Sequence, residues 1–140
     1  MGDSTAKSNE VLLRFDHPDG SLAVVLDDDN RVAYAYLLED EEVVGDVWLY
    51  NVMESPDTVN WEDPSPMPFL NPRDYCKSEK VRRLTPQSAV QCAWFDAGVE
   101  VSIDGILWAR IERGSKPGWS RLAAQPGPLA IPLEARMPSR

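Results

Sequence analysis

The chain has 140 residues, 43% hydrophobic and 26% charged, with 23 Asp/Glu against 14 Lys/Arg and a net charge of −9. That length suits one domain with a core that needs no staples, and the acidity argues against nucleic acid or an anionic membrane as partner. No apolar run approaches the ~20 residues of a membrane span, and the opening MGDSTAKSNE lacks the cationic start and apolar stretch of a secretory signal, so a soluble, cytoplasmic protein is expected.

After an expected disordered tail over residues 1–9, Val11, Leu13 and Phe15 alternate with Leu12, Arg14 and Asp16, the period of a strand with one buried face. His17-Pro18-Asp19-Gly20 fits a type I turn, and Leu22 to Leu26 supplies the return strand of a hairpin. Asp28-Asp29-Asn30-Arg31 turns again, because Asn and Asp tolerate left-handed backbone and bond to their own main chain. The third strand, Val32 to Leu38, has a large face (Val32, Tyr34, Tyr36, Leu38) and a small one, Ala33 and Ala35, suited to close approach by a second layer. Glu39-Asp40-Glu41-Glu42 makes the next loop, and Val43 to Val52 reads as a fourth strand with a bulge at Gly45.

Five prolines end the periodicity in residues 54–72, which are expected to cross over the body rather than form a strand, held there by Trp61, Met67, Phe69 and Leu70. At most a short helix is expected near residues 72–84, started by Asn71-Pro72. A second β unit runs from Ala89 to Arg113, with Asp104-Gly105 as its hairpin turn. Register there decides Trp108. A two-residue turn pairs Val101 with Trp108 and buries the indole, whereas a three-residue loop with a glycine bulge turns Leu107, Ala109 and Ile111 inward and Trp108 outward beside Arg110. The alternation favours the second register.

The predicted fold is all-β, an antiparallel sandwich or half-open barrel built from two meanders in a single domain, with residues 133–140 as a tail. Phe15-Asp16 and Phe95-Asp96 each precede a turn and a strand, an echo that two meanders would produce, although the identities are few and the spacings differ.

No motif for chemistry stands out. His17, the only histidine, shares one sheet end with Asp16, Asp19 and the Glu39–Glu42 loop, but a lone imidazole without oriented partners is a poor zinc site. Asp27 to Asn30 lacks the spaced ligands of a calcium loop, no serine lies in a G-x-S-x-G elbow, and Gly114 to Gly118 lacks phosphate-loop spacing. Cys76 and Cys92 have no CxxC spacing and read as reduced structural thiols. No catalytic residue, metal or cofactor is assigned.

Charge is the stronger signal. Residues 1–64 hold 3 Lys/Arg and 16 Asp/Glu, a net −13, while residues 65–140 hold 11 and 7, a net +4. The expectation is a small, non-catalytic binding protein of inhibitor or immunity type, engaging a basic protein through Asp27, Asp28 and Asp29 at one sheet end or Glu39, Asp40, Glu41 and Glu42 at the other. Two alternatives compete with it. One is a small-ligand or carbohydrate binder, or an enzyme, using a tryptophan-lined cleft of Trp108, Arg110, Trp119 and Arg121. The other is a homo-oligomeric subunit whose oppositely charged halves associate.

Overall fold

The computed structural model describes residues 10–63, 65, 67–77 and 84–136; the expected N-terminal tail at 1–9 lies outside the described residues. Two sheets pack face to face as a β-sandwich. The first is a meander in the order β1 (Val11–Asp16), β2 (Leu22–Asp28), β3 (Val32–Glu39) and β4 (Glu42–Asn51), all antiparallel. The second contains β5 (Val90–Phe95), β6 (Gly98–Ile103), β7 (Ile106–Glu112), β8 (Trp119–Ser120) and β9 (Ile131–Pro132). Its last pair, β8 and β9, is parallel, so this sheet is mixed. No helix among the described residues is long and apolar enough to cross a membrane.

The alternation in the sequence selects the buried faces. Leu13, Leu26, Ala35 and Val47 lie in register across the first sheet, as do Phe15, Val24 and Leu37, and these rows pack into the core with Val99, Val101, Ile103 and Ile111 of the second. Ala33 and Ala35 are fully buried and give the close approach that their size predicts.

Three departures from strict alternation are bulges, two in β4 and one in β7. In β4 the register shifts between Leu37 and Leu38, so Val44 is the extra residue, one place before the glycine expected to mark it. Gly45 itself is where the sheets nearly touch, since a Cβ there would sit 2.7 Å from Ile111 Cγ2 and 2.8 Å from the Glu112 carbonyl oxygen. The bulge in β7 corrects the expected fate of Trp108. Asp104 (φ 52°) and Gly105 (φ 84°) form a two-residue turn, so Ile103 pairs with Ile106 and Ser102 with Leu107, but Val101 then pairs with Ala109. Trp108 is the extra residue, which lets Trp108 and Ala109 both be buried where simple alternation would expose one of them. The favoured three-residue loop is not formed. The indole Nε1–H donates to the Leu49 carbonyl at 3.2 Å, and Leu49 is itself the extra residue where β4 slips against β3.

The outer edge of β4 is not left open. Gly114 N–H bonds to Val44 O, Asp46 N–H to Ser115 O, Gly118 N–H to Asp46 O and Trp48 N–H to Leu129 O, at 2.7–3.0 Å. The segments around β8 thus occupy an edge that would otherwise recruit another strand. The proline-rich crossover lies on the outer face of the first sheet, held by Phe69 and Leu70, whereas Met67 and Trp61, also expected to hold it, are exposed. Tyr34 Oη donates to Phe69 O at 2.8 Å, and the Asn51 carboxamide binds the Asn71 backbone at both its N–H and its carbonyl while accepting from Trp48 Nε1. The only helical structure near residues 72–84 that is described is one 3-10 turn, Arg73–Tyr75. Residues 133–136 of the expected C-terminal tail instead form a second such turn, with Leu133 buried.

Candidate functional site

The two acidic turns sit at opposite ends of β3, and their carboxylates meet different fates. At the β2–β3 turn Asp28 is 0% exposed. Its carboxylate accepts the Tyr50 hydroxyl at 2.6 Å and the Asn30 N–H at 2.9 Å, while the same Tyr50 oxygen accepts the Leu84 N–H at 2.7 Å. Asp28 is a structural acid that presents nothing to a partner, which removes it from the expected binding cluster. Asp29 Oδ1 accepts from Arg31 N–H and Val32 N–H, both at 2.9 Å, and so closes the turn in which Asn30 adopts φ 72°. Asp27 points to the outer face, level with Tyr34. Burial, then Glu10, Asp29 and Asp28, push its carboxyl above the usual range.

At the β3–β4 turn the hairpin is tighter than the four-residue loop expected, with Asp40 (φ 52°) and Glu41 (φ 71°) alone at its tip. Glu41 takes a two-pronged contact from Arg14 at 2.9 and 2.6 Å, and that hydrogen-bonded guanidinium holds its carboxyl below the usual value. Glu39 accepts from Arg113 Nε at 3.1 Å. Asp40 N–H donates to Ser21 O, tying this hairpin to the β1–β2 turn. Asp40 and Glu42 are exposed and have no ion-pair partner among the described residues.

Between the β1–β2 turn of one sheet and the β5–β6 turn of the other lies an open cleft of about 340 Å³, lined by His17, Asp19, Trp94, Phe95, Asp96 and Arg113 among others. His17-Pro18-Asp19-Gly20 adopts the predicted turn, with Gly20 N–H on His17 O, and Asp19 N–H donates to His17 Nδ1 at 2.9 Å. The imidazole then stands edge-on to Trp94, ring centres 5.0 Å apart. Trp94 pairs with Val99 and shares its inward face, so its ring closes this end of the sandwich. Arg113 spans the two sheets: besides Glu39, it donates from Nη1 to Asp96 O at 3.0 Å, and its backbone N–H bonds to Ala97 O. Ser21 also lines the cleft, yet no hydrogen bond joins it to His17 among the described residues.

The tryptophan-lined cleft expected from Trp108, Arg110, Trp119 and Arg121 does not form. Trp108 is 4% exposed and faces Tyr50 edge-on in the core. Arg110 lies opposite Trp119 on the outer face of the second sheet, bonded to Glu100 and Glu112 with its guanidinium carbon 4.1 Å from the Phe95 ring centre. Arg121 contributes its backbone N–H to Trp108 O. A second cavity, about 330 Å³, lies under the crossover between Arg31, Pro56, Val59, Phe69 and Leu70, and is mostly apolar. Cys76 and Cys92 are free thiols; burial pushes both up, Cys92 to about 11. No group of three or more His, Cys, Asp or Glu side chains suited to a metal ion occurs among the described residues.

The fold and this end define an antiparallel-to-mixed β-sandwich with an acidic, aromatic-walled cleft between its sheets. Searches against known protein families, curated proteins and solved structures find no match to the chain. The cleft residues that sequence reasoning missed are Trp94, Phe95 and Asp96. The echo of Phe15-Asp16 in Phe95-Asp96 was the available signal, because it places both pairs at the same kind of strand end.

Proposed function

We propose that the protein is a non-catalytic binding protein of inhibitor type, which engages a basic protein through the end of the sandwich built by the β1–β2, β3–β4 and β5–β6 turns. One observation carries this reading. Asp19, Asp40, Glu42 and Asp96 are exposed at that end without ion-pair partners among the described residues, whereas Arg14 and Arg113 are matched by Glu41 and Glu39. The local field is therefore strongly negative and directed at solvent. The opposite turn offers less, with Asp28 buried and Asp29 engaged by its own backbone.

The test is association kinetics with an arginine-rich peptide across ionic strength. Steering makes association fast at low salt and slower as the screening length shrinks to ~8 Å at 0.15 M. Asp40→Lys with Glu42→Lys should slow association about tenfold at low salt, and Asp27→Lys much less, since field-driven steering spans about 10- to 1,000-fold. Equal, small effects would return both clusters to the role of solubility charge. Mass in solution, measured alongside, decides the self-association alternative: a concentration-dependent dimer that dissociates in salt would favour it.

A further inference from the structure

We propose that the cleft between the sheets is an arginine-side-chain pocket, the anchor point for the basic partner. The inference rests on the reading above, that this acidic end is the binding surface, and adds the chemistry of the contact.

The cleft has three features that a guanidinium uses together. Trp94 supplies the aromatic wall, the ring type that attracts cations best. Asp19 and Asp96 line the gap from the β1–β2 and β5–β6 turns, one on each sheet, and neither has an ion-pair partner among the described residues. About 340 Å³ accommodates one long side chain with its waters, at the small end of ligand pockets. Arg113 does not reverse this polarity. Its charge is matched by Glu39 at 3.1 Å, and one of its nitrogens is taken by the Asp96 carbonyl, so it braces the cleft wall.

The protein already builds the same recognition elsewhere. On the outer face of the second sheet, Arg110 places its guanidinium 4.1 Å from the Phe95 ring centre and bonds to Glu100 and Glu112 at 2.9 and 2.8 Å. An aromatic ring and two carboxylates from different strands thus hold a guanidinium there. The cleft brings together the same kinds of group, Trp94 with Asp19 and Asp96, beside the internally paired Arg113 and the His17 imidazole that stands edge-on to Trp94. Planar, multiply donating arginine fits it better than lysine, whose ammonium is a compact and more strongly hydrated charge.

The probes are the capped tripeptides acetyl-Gly-Arg-Gly-amide, acetyl-Gly-Lys-Gly-amide and acetyl-Gly-Leu-Gly-amide, together with hexa-arginine. Binding is followed by tryptophan fluorescence and by backbone amide shifts of the full chain at low salt. The expected result is saturable binding of the arginine tripeptide, at least threefold tighter than the lysine one, with none for leucine. Amide shifts should centre on residues 17–21 and 94–96. Trp94→Ala should weaken the arginine tripeptide about tenfold. Because that change also removes packing, Asp19→Asn and Asp96→Asn, at exposed positions, provide the second arm and should each weaken it severalfold with an unchanged urea midpoint. Hexa-arginine binding that ignores Trp94, Asp19 and Asp96 but is lost on Asp40→Lys with Glu42→Lys would overturn the pocket and leave the acidic-end reading standing. No binding of hexa-arginine at any salt concentration would overturn both.

Discussion

Two acidic turns, Asp27-Asp28-Asp29-Asn30 and Glu39-Asp40-Glu41-Glu42, look alike as sequence and cap opposite ends of the same strand, yet they do different work. In the first, carboxylates serve the fold: Asp28 anchors Tyr50 and through it Leu84, and Asp29 closes the turn. In the second, the backbone alone makes the tip, through left-handed Asp40 and Glu41; Glu41 and Glu39 pair with Arg14 and Arg113, and Asp40 and Glu42 stay available for an external cation. A run of acids therefore says little about which charges face a partner. What decides it is whether hydroxyl and amide donors, from another strand or from the turn's own backbone, reach the carboxylates.

Substitution at Asp28 should have the largest effect. Asp28→Ala removes a buried charged acceptor from Tyr50 and from Asn30, and should cost about 3 kcal/mol, the scale of losing charge-assisted bonds and leaving donors behind. It would be read as a lower urea midpoint at constant slope; a loss under about 1 kcal/mol would mean that the buried carboxylate is not what holds this end together. A smaller effect is expected at Asp29→Ala, about 1 kcal/mol, comparable to losing a capping side chain. Neutralising Asp40 and Glu42 to Asn and Gln should change stability by less than about 0.5 kcal/mol, as for exposed positions without buried bonds. If that pair proves as costly as Asp28→Ala, the division between structural and available acids fails.

Proton uptake is the finest discriminator. As pH falls from 7, Asp27 should protonate early, because burial and neighbouring acids raise its folded value, and Glu41 late, because Arg14 lowers its value. The signs of the stability changes are opposite. The fold disfavours ionised Asp27, so stability rises as pH falls through its raised value; the Arg14–Glu41 contribution, small at an exposed site, is lost as pH falls through the lowered one. Carboxyl carbon shifts in an NMR titration give both directly, and Asp27→Asn should remove the early component. Glu41 titrating before Asp27 would contradict the assignment.

Much of the fold was legible in the chain because it follows from period-two patterning and turn chemistry. Val11-Leu13-Phe15, the Pro-Asp-Gly turn, small Ala33 and Ala35, and Asp104-Gly105 each fix a local feature through short-range sterics, and the first four strands fall where those features place them. The site was far less legible. Trp94 belongs to a strand whose neighbours give no hint that His17, 77 positions earlier in the chain, will stand 5.0 Å from it. Trp108 shows the limit most clearly: alternation allowed either face, and the bulge that buries it together with Ala109 is stabilised by Leu49 O, an acceptor supplied by the other sheet.

The β class, the order of the hairpins and the concentration of negative charge in the first half are all readable in the chain, since each depends on residues adjacent along it. Which acids are satisfied inside the fold, which tryptophan closes the core and which opens onto solvent, and the cleft at one end of the sandwich emerge from packing in three dimensions. Those outcomes depend on donors, acceptors and ring faces brought together from distant segments, and a carboxylate or an indole keeps the same local signature whether or not such a partner arrives.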